Sequence, residues 1–246
     1  MDPQNQQGRS TDLSLIQPAE QTQVKNFMAN VFAYMFLALG VSALFAYLFS
    51  TNLELLSYLF TNKGPNALGF IVIFAPLGFV LLMSFGYSRL SAPVLILLFV
   101  LYSAVNGISF SVILVTYAAS SVLACFLSAA AMFGVMAFMG YTTKHDLTKF
   151  GRILIMGLIG IIVASIINIF MGSSSLDYLI SFLGVMIFTG LTAYDVQKLK
   201  NIGSGIQYAD VPASDVKKIS ILGALNLYLD FINLFLFLLR LFGRRD

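Results

Sequence analysis

Charge is what this sequence has least of. Of its 246 residues only 10% are Asp, Glu, Lys or Arg, where a soluble globular domain carries about 25%. Cysteine is nearly absent as well: Cys125 stands alone, so there is no intramolecular disulfide and no cysteine zinc cluster. His145 is the single histidine, which excludes a histidine-rich metal site within one chain. A net charge of +3 is too small to argue for nucleic acid as a partner. Long polar stretches are missing too. None exceeds the first 26 residues, which leaves no room for a large soluble catalytic domain.

What fills the chain is apolar: 59% of residues are hydrophobic and the mean hydropathy is +0.88. The excess is gathered in seven blocks, about 27–49, 68–86, 93–117, 120–141, 152–171, 178–199 and 218–242. Each approaches the ~20 residues a helix needs to cross a ~30 Å hydrocarbon core. The blocks are continuous rather than alternating, which selects helices over a barrel. The fold class is therefore an all-α integral membrane protein, with the lipid bilayer as its first partner. Residues 1–26 read as a polar, disordered tail and residues 27–246 as one seven-helix domain. The tail lacks the basic, apolar and small-residue order of a signal peptide. Pro76 predicts a kink in the second block, while Pro93 sits near a helix start, where it is tolerated. Gly134, Gly140, Gly157 and Gly160 mark places of close helix approach.

Lys and Arg set the orientation. With the amino terminus in the cytoplasm, ten fall inside: Arg9, Lys25, Arg89, Lys144, Lys149, Arg152, Lys198, Lys200, Lys217 and Lys218. Four fall outside if the last block crosses fully: Lys63, Arg240, Arg244 and Arg245. If the last block dips in and returns, its three arginines join the inside set, so charge leaves the side of the carboxyl terminus open.

Two acids survive inside the apolar blocks, Asp195 near the end of the sixth and Asp230 near the middle of the seventh. An aspartate at the centre of a membrane helix costs roughly 2.5–3.5 kcal/mol even on the lenient insertion scale. Asp195 is three residues before Lys198, and a helix-end role suits it as well as a functional one. Asp230 has no such escape. Asn226, Asp230 and Asn233 follow i, i+4, i+7 and share one face of the seventh helix, a polar stripe expected to point into the bundle. Thr192 and Asp195 share a face of the sixth in the same way. Asp230 lies twelve residues past Lys218, ~18 Å along a helix, so a simple count leaves the two carboxyls offset in depth by ~10 Å. If they meet, they cannot both ionise comfortably in a low dielectric and share a proton, while a hard divalent cation would favour the paired oxygens. Such a pair is a pH switch, a cation site or a catalytic dyad.

The stretches FTGLTAYDVQKLK (188–200) and LNLYLDFINLFLFLLRLFG (225–243) resemble the two signature regions of the Bax inhibitor-1 family. SRLSAPVLILLFVLYSAVNGISFS (88–111) and TTKHDLTKFG (142–151) support the likeness, which runs from about residue 25 to the end. The resemblance implies a seven-helix bundle with its last helix central and a pH-sensitive calcium leak, with calcium ions and protons as the moving partners. It also implies that Asp195 and Asp230 are the family's paired aspartates near the cytoplasmic mouth. The compartment expected for a chain without targeting signals is a bacterial inner membrane.

The alternative is an aspartyl intramembrane protease, which also pairs a Tyr-Asp with an Asp on the next helix. Tyr194-Asp195 fits, but Asp230 follows Leu227, Tyr228 and Leu229 instead of Gly-x-Gly, and a later Pro-Ala-Leu is missing. A retinal protein would need a mid-span lysine, and a serine intramembrane protease a histidine within the bundle; His145 sits between Lys144 and Asp146 in a loop. The expectation is accordingly a calcium leak with no enzyme activity and no cofactor. Arg89 is either an interfacial anchor or an ion-pair partner of Asp195. Asn106, Asn168, Asn226 and Asn233 are candidate path-lining or interhelical hydrogen-bonding groups.

Overall fold

A computed structural model describes residues 4–61, 64–208 and 211–245, with side chains from Thr22 onward except those of residues 207 and 208. In chain order its elements are α1 (Gln4–Thr51), α2 (Leu53–Ser57), β1 (Phe60–Thr61), β2 (Gly64–Pro65), α3 (Ala67–Gly86), α4 (Ala92–Thr116), α5 (Ala119–Thr142), α6 (Thr148–Met171), α7 (Ser174–Tyr208) and α8 (Ala213–Phe242). Seven helical stretches are long and apolar enough to cross a membrane: Thr22–Thr51, α3, α4, α5, α6, Ser174–Ile206 and α8. They coincide with the seven apolar blocks. The packed bundle begins slightly earlier than expected, at Val24, which is buried beside Phe27 and Met28 although it falls within the segment read as a polar tail. The side chains of residues 1–21, most of that segment, lie outside the described residues.

Local chemistry places the helix ends. Asn66 accepts from the amide of Gly69 at 3.0 Å and caps α3. Gly172 takes a positive φ of 62° and its amide donates to Asn168 O, closing α6 in the left-handed conformation glycine favours. Helix α3 runs through Pro76 without a break in its residues. Proline cannot donate to the carbonyl four residues back, which is Val72 O. Ser109 of α4 supplies the donor instead, at 3.1 Å.

Burial sorts the helices. Only 11% of the apolar window of α3 and of α6 is buried, against 56% for α7 and 61% for α8. Helix α8 is the axle, in contact with α1, α4, α5 and α7, while α3 packs mainly on α4 and α6 on α7. Aromatic edges lock it on two sides. Phe133 of α5 meets Phe231 at 5.7 Å, and Tyr102 of α4 meets Tyr228 at 5.4 Å. The carboxyl terminus is strapped to the α4–α5 turn: Ala118 N donates to Arg244 O at 2.9 Å, and the Arg245 guanidinium lies over the Tyr117 ring. Arg240 pairs with Asp177 at the start of α7 at 3.5 Å. The last helix therefore traverses the whole bundle and ends on the face opposite the α5–α6 and α7–α8 turns. Charge alone left that open.

Candidate functional site

The two aspartates meet because α7 and α8 extend past their apolar blocks as one antiparallel hairpin. Asp195 lies 13 residues before the end of α7 at Tyr208, and Asp230 lies 17 residues after the start of α8 at Ala213. Four residues of mismatch are ~6 Å of rise, about one turn, which side chains can bridge. The larger offset expected from the sequence came from counting only the apolar segments, whose polar extensions are helical too.

The carboxyls of Asp195 and Asp230 lie within hydrogen-bonding reach of each other. Asp230 is only 4% exposed, and its Oδ2 has no hydrogen-bond partner among the described residues. Two ionised carboxylates offer each other acceptors and no donor, so neither can satisfy the other without a proton. Asp195 is half-buried, and the cation acting on it is Lys198, one turn further along α7. Arg89 is exposed in the turn after α3 and forms no ion pair among the described residues; of its two readings, interfacial anchor or partner of Asp195, only the first accords with this. Substituting Arg89→Gln should leave any pH dependence of transport unchanged. A shifted profile would instead place Arg89 against the pair in another state.

Around Asp195 the backbone of α7 is held tightly. A Cβ on Gly140 of α5 would collide with the carbonyl oxygen of Ala193, and one on Gly151 of α6 with the ring of Tyr194. Gln197 clamps the α5–α6 turn, donating to His145 O at 2.7 Å and accepting from Leu147 N at 2.8 Å. Lys200 donates to Tyr141 O at 2.8 Å. With three sides fixed, Asp195 faces α8. His145 is exposed, as expected of a loop residue. In the same turn Thr148 donates its hydroxyl and amide to Asp146, holding that carboxyl below its ordinary range.

The polar stripe of α8 does line one space. Asn226, Asp230 and Asn233, with Asp195, Lys198 and Asn106, border a cavity of about 800 Å³ whose wall is otherwise mainly apolar. Asn233 donates to Leu229 O at 2.8 Å, leaving its carbonyl oxygen free to accept elsewhere. Thr192, expected beside Asp195, is buried and donates to Phe188 O instead. Asn168 is outside the cavity, and its Oδ1 accepts from Ser173 N in the α6–α7 turn. Ser42 is a functional-site neighbour that no sequence pattern singled out. It donates to Ser103 O and shares a 2.7 Å hydrogen bond with the Tyr228 hydroxyl, against which Asn106 also lies. The available signal was Tyr228 itself, a hydroxyl two residues before Asp230 in a run of Leu, Phe and Ile. Among the described residues no group of three or more His, Cys, Asp or Glu side chains forms a metal cluster.

Comparison with known sequences agrees with this architecture. The inner membrane protein YbhL of Escherichia coli is 44% identical over 232 residues, covering 94% of this chain and 96% of that protein. A protein of Borreliella burgdorferi is 42% identical over 235 residues, covering 95% and 98%. A membrane protein of Streptococcus pyogenes is 38% identical over 225 residues, covering 91% and 94%. Residues 24–246 match the family described as inhibitor of apoptosis-promoting Bax1. With seven spanning helices, α8 central among them, and a match beginning where the packed bundle begins, the chain belongs to the Bax inhibitor-1 family.

Proposed function

We propose that this protein is a pH-sensitive cation leak, with calcium as the conducted ion and Asp195 and Asp230 as its gate. The observation that carries the reading is the buried Asp230 carboxyl, facing Asp195 with one oxygen unpartnered. With one proton on the pair, an O–H donates to the neighbouring carboxylate and ties α7 to α8. Without it, two like charges stand close together in a medium of low dielectric and drive the helices apart. The opened space offers carboxylate and Asn oxygens of the kind calcium prefers. Asn106, Asn226 and Asn233 line the same cavity and can replace part of a lost hydration shell. Leakage therefore increases as pH rises. The reading requires no enzymatic step and no cofactor.

Lys144, Lys149 and Arg152 around the α5–α6 turn, with Lys198, Lys200, Lys217 and Lys218 on the helix ends beside the α7–α8 turn, support a cytoplasmic position for those turns and the amino terminus. The likeness to the inner membrane protein YbhL supports a bacterial inner membrane as the location. The test is calcium flux into proteoliposomes across about pH 5.5–8, since a proton shared by two carboxyls couples their spacing to pH. Flux that climbs with pH is expected. Flux that is absent throughout, or level across the range, would sink the reading.

A further inference from the structure

The cavity that holds the aspartates has room and apolar wall beyond what a single cation would use. Calcium takes six to eight oxygen ligands, yet most of this wall is aliphatic or aromatic. At about 800 Å³ it has the size of a pocket for a drug-sized organic molecule, ~300–1,000 Å³. It is also open sideways. Helix α3 packs mainly on α4 and α6 on α7, so the two form facing walls, each held from one side. Leu77 of α3 and Ile162 and Ile166 of α6 line the cavity and are themselves exposed, so no other part of the described chain covers it there. A molecule dissolved in the bilayer can enter between these walls.

We infer that this cleft binds lipophilic organic cations, drawn laterally from the membrane onto the carboxyl of Asp230. Three features select that chemistry. The floor holds an unpartnered, almost wholly buried carboxyl oxygen, which needs a positive charge or a donor. Aromatic residues of three helices, Phe110 of α4, Tyr194 of α7 and Phe237 of α8, line the same space, and aromatic rings attract a diffuse cation. The remaining wall is apolar and accepts a hydrocarbon body rather than a hydrated ion. Three charged groups line the cleft: Asp195, Asp230 and Lys198. Lys198 is exposed, so its ammonium reaches the cytoplasmic rim and leaves the floor acidic. The inference uses the same aspartates as the calcium reading but does not depend on calcium conduction.

Binding of radiolabelled tetraphenylphosphonium to the full chain in phosphatidylcholine nanodiscs, with calcium chelated, tests it without any flux measurement. Saturable binding above that of empty nanodiscs is expected, weakened at least ~tenfold by Asp230→Asn. Phe110→Ala, which leaves both carboxyls in place, should weaken it several-fold and guards against a folding defect in the first variant. Tetraethylammonium, with the same charge and little apolar body, should compete poorly, and uncharged tetraphenylsilane should not compete. Purely partition-like uptake, or binding indifferent to both substitutions, would overturn the inference. Displacement by tetraphenylsilane would also overturn it, marking the cleft as an acyl-chain slot. Since calcium is removed, saturable cation binding together with absent calcium flux would end the leak reading and leave this one standing.

Discussion

Asp230→Asn should give a protein that folds at least as well as wild type yet leaks little at any pH. The substitution keeps the shape of the side chain and removes an ionisable group that is 4% exposed and has no cationic partner of its own. Replacing buried charge by a neutral group of similar volume is often neutral or stabilising, by ~1–4 kcal/mol where it stabilises. The Asn amide also provides at all times what the pair provides only when protonated, a donor for Asp195. Helices α7 and α8 then stay tied, and flux at the alkaline end should fall at least ~tenfold, equivalent to ~1.4 kcal/mol of lost gating bias. Asp195→Asn should flatten the pH profile in the same way. Its effect on stability should be smaller, because Asp195 is half-buried and already has Lys198 nearby. Thermal melting in detergent and calcium flux in proteoliposomes read the two halves separately. A stable Asp230→Asn protein with wild-type pH dependence would show that the pair is not the switch. A protein that no longer folds would make the carboxyl structural.

Gly140→Val should be the most damaging single change among the small residues of the bundle. At Gly140 the backbones of α5 and α7 touch, and an added Cβ would run into the Ala193 carbonyl. No flexible side chain can yield there, so the helices must separate. Overpacking typically costs 1–3 kcal/mol when neighbours can rearrange, and a backbone obstacle places this substitution at or above ~3 kcal/mol. In a bilayer the loss is not recovered by burial elsewhere, because close packing is itself the main force between helices. Ala193 is two residues from Asp195, so moving α7 also disturbs the register of the aspartates. The matched control is Gly134→Val on the same helix, where a Cβ meets nothing within 4 Å; it should stay within ~0.5 kcal/mol of wild type. Equal melting temperatures for the two variants would show that α5 and α7 are not in backbone contact.

Those two glycines show how far a sequence pattern reaches. Four glycines marked close approach, and their helices were placed correctly. Gly140 and Gly157 do meet α7, whereas Gly134 and Gly160 face open space. Composition identifies residues that permit contact, but which way a position faces is settled only when neighbouring helices are in place. Arg89 repeats the point. Its position at a helix end suited an ion pair with Asp195, yet it lies exposed, and Lys198 on the same helix as Asp195 is the cation nearby.

Seven spans, the all-helical class and the anomaly of Asp230 followed from the sequence by itself, because the cost of polar groups in hydrocarbon depends on which residues occupy a ~20-residue window and not on their neighbours in space. The stripe of Asn226, Asp230 and Asn233 was legible for a similar reason, since helical periodicity fixes a shared face before any packing occurs. The meeting of the two carboxyls was implied by the family resemblance but was not legible from helix counting. It depends on α7 and α8 remaining helical through polar turns that hydropathy reads as loop, and on glycine contacts that set the depth of α7. The Ser42–Tyr228 bond, the strapped carboxyl terminus and the sideways cleft between α3 and α6 likewise arise from the relative placement of distant segments. Only tertiary packing, which fixes register and rotation between helices, could decide them.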